Sequence, residues 1–170
     1  MCVAKDAKVA VIMGSDSDFS VMKSCVKMLK QFEVSCEVMV CSAHRTPEAA
    51  ADFAKNAAEN GFDVIIAAAG KAAHLPGVLA AFTPLPVIGV PIKSSTLDGL
   101  DSLLSIVQMP SGIPVATVAL DGAENAALLA VQILSTAHRD LRNKMIEYKA
   151  SLAEKVKKKN AELQIKLEEL

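Results

Sequence analysis

The feature that most constrains this chain is a pattern met five times along it: a short β-branched or small apolar run, a loop of Gly, Ser or Pro, then apolar residues at helical spacing. KVAVIM, Lys8 to Met13, ends on Gly14, and Ser17 to Phe32 follows with Phe19, Met22, Val26 and Leu29 in steps of three and four. Asp18 stands in the first turn of that helix, where the dipole favours it. Cys36 to Cys41 is strand-like and leads to a helix over Pro47 to Asn60, whose proline sits early, as its missing N–H allows. Val64 to Ala68 precedes a short helix over Leu75 to Phe82. Val87 to Val90 precedes one over Leu97 to Val107, and Val115 to Ala119 one from Glu124 onward.

Strands that are apolar along their whole length need cover on both faces, and helices between parallel strands supply it. The pattern predicts an α/β, three-layer domain with a parallel five-stranded sheet and helices on both faces. Ligands of such sheets bind at the carboxyl ends of the strands, so the strand-to-helix loops are the places to search.

The segment from Thr136 to Leu170 breaks the pattern. It is lysine-rich and lacks Pro and Gly, yet Leu141, Met145, Tyr148, Leu152 and Val156 keep helical steps. This predicts a domain over 1–135 and a C-terminal helical arm over 136–170. A long exposed helix gains little stability without tertiary packing, so the arm is expected to pack on a neighbouring subunit. A composition 52% hydrophobic but only 4% aromatic fits surface hidden in homo-oligomer contacts.

The formal charge of −1 gives no global reason for a nucleic-acid or anionic-membrane partner, so any anion site must be local. No apolar run approaches the roughly 20 residues of a membrane span, and no secretory signal pattern opens the chain. The expected compartment is the cytoplasm. Cys2, Cys25, Cys36 and Cys41 form no C-x-x-C pair; they read as small apolar side chains rather than metal ligands or disulfide partners.

Three loops carry candidate chemistry. Gly14-Ser-Asp-Ser-Asp18 offers hydroxyls and helix N–H groups to a phosphate, or else Ser17 merely caps the helix. It is neither a dinucleotide fingerprint nor a P-loop. Ser42-Ala-His-Arg-Thr-Pro47 gathers a hydroxyl, an imidazole and a guanidinium in one turn, with Arg45 suited to phosphate and His44 to proton transfer. AAAGKAAHLPG, residues 67–77, sets Lys71 and His74 close together with no side chain between them larger than a methyl; the plain alternatives are a surface charge and a helix cap. Gln108 to Gly112 reads as a plain turn.

Together MGSDSD, SAHRTP, AHLPG, TPLPV.GVP, LDGLDSLLSIVQMP.G and N.ALLA.QIL resemble the family of purine biosynthesis that carboxylates aminoimidazole ribonucleotide, in order and spacing from about Val9 to Leu134. The resemblance implies a flavodoxin-like domain assembled as a homo-octamer, with the C-terminal helix reaching other subunits. It implies Ser15, Ser42 and Arg45 around the nucleotide phosphate, Asp18 on the ribose hydroxyls, and His44 as the proton-transfer residue. Gly70, Ala72, Ala73 and His74 then form a wall for the planar base.

The family has two branches: a mutase that moves a carboxylate from the exocyclic amine of N-carboxyaminoimidazole ribonucleotide to the ring carbon, and a carboxylase that uses carbon dioxide directly. Neither is known to need metal, biotin or ATP. Lys71 stands where the mutase loop usually has glycine, and Ser111 where the mutase usually has arginine after QMP; the direct carboxylases carry a basic residue and LPSG at these places. The two departures lead us to expect the direct carboxylase, with Lys71 catalytic and carbon dioxide as co-substrate. The mutase is the alternative, and a non-catalytic nucleotide-binding module a second one.

Overall fold

The computed structural model describes residues 7–95 and 97–168; Cys2 lies outside them. Strands β1 (Lys8–Met13), β2 (Ser35–Val40), β3 (Val64–Gly70), β4 (Val87–Ile92) and β5 (Ala116–Thr117) form one parallel sheet in the order β2-β1-β3-β4-β5. The helices are α1 (Phe19–Gln31), α2 (Pro47–Asn56), α3 (Leu75–Phe82), α4 (Leu100–Val107), α5 (Ala123–Leu134) and α6 (Arg139–Glu168). This is the flavodoxin-like strand order, and its topological switch point lies between β1 and β3.

The period of two along each strand decides which face a residue serves. Val9, Val11 and Met13 of β1 join Val64 and Ile66 of β3 in a core closed by Met22 and Leu29 of α1, Ala126 and Ala130 of α5, and Leu141 and Met145 of α6. Ala10 and Ile12 point the other way, with Ile65 and Ala67, onto Ala50 and Ala54 of α2, Leu79 of α3 and Ile106 of α4. Each large side chain so buried contributes about 1.5–3 kcal/mol relative to exposure. Cys25 belongs to the first core as an apolar side chain, and burial pushes its thiol up to about 12.

The edges depart from the expected elements. β5 is two residues long rather than Val115 to Ala119, an edge strand with a neighbour on one side only. The helix expected to begin at Ser17 begins instead as a 3₁₀ turn over Asp16–Asp18. The cap is Ser15, not Ser17: Ser15 Oγ accepts the Ser17 N–H at 3.4 Å, and Asp18 Oδ2 accepts the Ser15 N–H at 3.2 Å.

The arm divides by packing. Leu141 and Met145 are buried in the first core, and the rings of Tyr148 and Phe32 meet edge to face at 5.6 Å. Beyond that, Leu152, Val156, Leu163 and Ile165 of α6 are exposed. No helix among the described residues is long and apolar enough to cross a membrane.

Candidate active site

The carboxyl ends of β1, β2 and β3 are tied together by the chain leaving them. Gly14 N–H donates to Ala68 O at 3.0 Å, and Cys41 N–H donates to Met13 O at 2.8 Å. The loops that follow therefore open side by side at the switch point, around a cavity of about 780 Å³. A cleft of this size, with polar groups converging on it, suits a mononucleotide.

The second loop is a tight turn built on its own side chains. Thr46 N–H and Thr46 Oγ1 both donate to Ser42 O, at 2.8 and 2.9 Å, and Ser42 Oγ accepts the Arg45 N–H at 3.2 Å. The Arg45 guanidinium reaches back to the first loop, where Nη2 donates to Gly14 O at 3.4 Å. Arg45 and Lys71 line the cavity and have no carboxylate partner among the described residues. These two cations share the lining with the carboxylates of Asp18 and Asp121 and offer a local place for an anion in a chain whose overall charge is −1.

Asp18 is buried at 7% exposure. Burial pushes its carboxyl above the usual carboxylate value, against hydrogen bonds from the Ser15 N–H and the Ser17 hydroxyl that hold it down. A raised folded-state pKa means stability that is whole below 3.8 and lost as pH rises through the folded value, so at neutral pH the ionised carboxylate burdens the fold. Asp18→Asn is accordingly expected to raise the melting temperature at pH 7, the gain shrinking as pH falls towards 3.8, and to weaken nucleotide binding. Thermal melts across pH, beside a binding titration, check both parts.

The third loop brings His74 against the second. His44 Nε2 and His74 Nδ1 stand 2.8 Å apart, with the rings nearly perpendicular at 84°. The helix-cap reading of His74 does not hold for its side chain, which makes no capping hydrogen bond to α3. Lys71 adopts φ 56°, the left-handed region that favours glycine.

Of the residues expected at the site, Ser15, Asp18, Ser42, His44, Arg45, Gly70, Lys71, Ala72 and His74 line the cavity. Ala73 does not: it is fully buried and packs in the second core with Leu75 and Leu79, because the turn into α3 carries its methyl inward. Ser111 stands exposed in the turn before β5 and is not among the lining residues.

The structure adds two further loops, after β4 and after β5, that the sequence reading passed over. Lys93, Ser94, Ser95 and Asp121 close the far side of the cavity, with Asp121 Oδ1 accepting the Lys93 N–H at 2.9 Å and Lys93 Nζ paired to Asp98 at 3.1 Å. The available signal was positional: a Lys-Ser-Ser run directly after the apolar strand GVPI.

A model of the family described as AIR carboxylase matches residues 8–155. The N5-carboxyaminoimidazole ribonucleotide mutase of Pyrococcus abyssi is 62% identical over 85% of this chain and 83% of its own. That of Mycobacterium tuberculosis H37Rv is 59% identical over 92% and 90%. The crystal structure of Treponema denticola PurE superposes with a TM-score of 0.84 at 30% identity, covering 92% of this chain and 98% of that one. The two mutases overturn the expectation that Lys71 and Ser111 mark a direct carboxylase. Proteins near 60% identical along almost the whole chain carry the mutase name. In the structure Ser111 lies apart from the cavity lining, and Lys71 lines it from a backbone position with positive φ.

Proposed function

The chain belongs to the AIR carboxylase family, and on that premise we propose that it is a mutase, moving the carboxylate of N5-carboxyaminoimidazole ribonucleotide from the exocyclic amine to the ring carbon. The observation that carries this reading is the near 60% identity to proteins named for that reaction. The cavity supports it through a cationic loop beside a histidine at the switch point.

In this reading Arg45, Ser15 and Ser42 hold the phosphate, and Asp18 takes the ribose hydroxyls. Gly70 and Ala72 let the planar base lie close to the backbone. His44 as imidazolium gives a proton to the exocyclic nitrogen as its bond to the carboxyl carbon breaks, leaving the amine and carbon dioxide. The enamine-like ring carbon then attacks carbon dioxide, and neutral His44 takes the ring proton to restore aromaticity. One proton is given and one regained, so the step is a net isomerisation. No ATP or redox partner is required, because the carboxylate arrives on the substrate. Lys71, the second unpaired cation, serves the carboxylate that is released and recaptured.

The test supplies the enzyme with the N-carboxylated nucleotide and, separately, with aminoimidazole ribonucleotide plus bicarbonate. Fast turnover of the first is expected. Fast turnover only of the second overturns the reading.

We further propose that the exposed apolar residues of α6 lie against other copies of the chain, in an octamer. Leu141 and Met145 belong to the protomer's own core, so a cut near Thr136 would damage the fold itself. A cut after Ser151 spares them. Light scattering on that truncated chain is expected to show a smaller assembly with its fold intact, and an unchanged mass would leave the arm solvated.

A further inference from the structure

His74 and His44 come from different loops, thirty positions apart, and meet through one nitrogen each. Two nitrogens 2.8 Å apart leave room for one proton between them, so one ring must donate and the other accept. The His74 backbone is fixed independently: its N–H donates to Ala72 O and its carbonyl accepts the Val78 N–H, both at 2.9 Å. The ring is thus mounted on the start of α3, which Leu75 and Leu79 anchor in the core. Among the described residues it is spent neither on capping nor on an ion pair, and its one side-chain hydrogen-bond contact there is with His44.

We propose that His74 is a positioning residue for the mutase reaction, accepting the His44 Nε2–H on its Nδ1 and so fixing Nδ1 of His44 as the nitrogen that gives and takes the substrate proton. This rests on the mutase reading above. With Nε2–H committed to His74, Nδ1 of neutral His44 carries the lone pair needed to remove the ring proton. When that proton arrives, the imidazolium keeps the same bond, now charge-assisted and stronger. On the next substrate Nδ1–H passes its proton to the exocyclic nitrogen as the carboxyl group leaves, and Nε2–H never moves. A second histidine serves this purpose because its Nδ1 can accept while its own proton resides on Nε2. The arrangement follows the general rule that the partner of one imidazole nitrogen decides what the other can do.

The test compares His74→Phe, which keeps a ring but removes the acceptor, with His74→Asn, whose amide oxygen occupies the place of Nδ1. Gln is the geometric control, since its amide lies one carbon further out. His74→Phe is expected to lower kcat by about ten- to a hundred-fold with KM within about threefold, a part of the factor of about 10²–10⁴ that a positioned acid–base group supplies. His74→Asn is expected to recover most of kcat, and His74→Gln little of it. Long-range ¹H–¹⁵N spectra of histidine-labelled protein are expected to show His44 as the Nε2–H tautomer in the native chain and mixed in His74→Phe.

Undiminished kcat in His74→Phe would overturn the proposal. So would equal losses in the Phe and Asn variants with an unchanged His44 spectrum. If the native enzyme does not turn over the N-carboxylated nucleotide, the mutase reading fails instead; the ¹⁵N spectra still decide whether His74 sets the tautomer.

Discussion

His44→Asn is expected to reduce turnover of the N-carboxylated nucleotide by about 10²–10⁴-fold, the contribution of a positioned general acid and base. Nucleotide affinity should stay within a few-fold, because the phosphate and ribose contacts are assigned to other side chains. Asparagine keeps polarity at an exposed loop position, so folding is not the explanation of the loss. Single-turnover kinetics beside equilibrium binding separate the two effects. Full turnover in the variant would remove His44 from the chemistry and overturn the assigned mechanism.

Arg45→Ala is expected to act on the other quantity. A charge-assisted, desolvated contact to phosphate lost in this way costs about 2–4 kcal/mol, or about 30- to 700-fold in Kd at 1.4 kcal/mol per tenfold. In the free protein Arg45 is exposed, and among the described residues its guanidinium makes only long contacts, 3.4 Å to Gly14 O and 3.5 Å to Ser42 Oγ. Stability should therefore change by no more than about 0.5 kcal/mol. Calorimetric titration with the nucleotide, beside a denaturant melt, checks both. Arg45→Lys is expected to restore part of the affinity, since an ammonium supplies charge without the planar fork.

The two variants probe a site that was partly legible in the chain. Ser15, Ser42, His44 and Arg45 could be read in advance because each sits within a few residues of a strand's carboxyl end, and in a parallel sheet that address alone puts them on the ligand side. Lys93 and Asp121 have the same kind of address, but the sequence reading passed over their loops, and only the closing of the cavity from its far side shows that they belong to it. Ala73 failed for the opposite reason. Proximity in sequence to Gly70 and His74 suggested the wall of the site, while the entry into α3 turns its methyl into the core.

Lys71 shows a different limit. As a letter it is a cation in place of a glycine, and a charge near a reacting carboxylate invites a chemical interpretation. Its φ of 56° puts the backbone in the left-handed region that favours glycine. A lysine therefore fits this turn, and the charge it carries does not by itself assign the reaction.

The sequence by itself determined the layers: continuous apolar runs along β1, β3 and β4 are stable only between two helix layers, and their alternation fixes which residues feed each core. It also determined which loops could bear chemistry. The tertiary structure decided the strand order, the short edge at β5, the division of α6 between core and exposed arm, and the meeting of His44 with His74. The physical reason is range. Burial and backbone hydrogen bonding act residue by residue and leave a periodic trace in the chain. A contact between two loops thirty positions apart exists only once the strands carrying them have paired, and nothing in either loop alone records it.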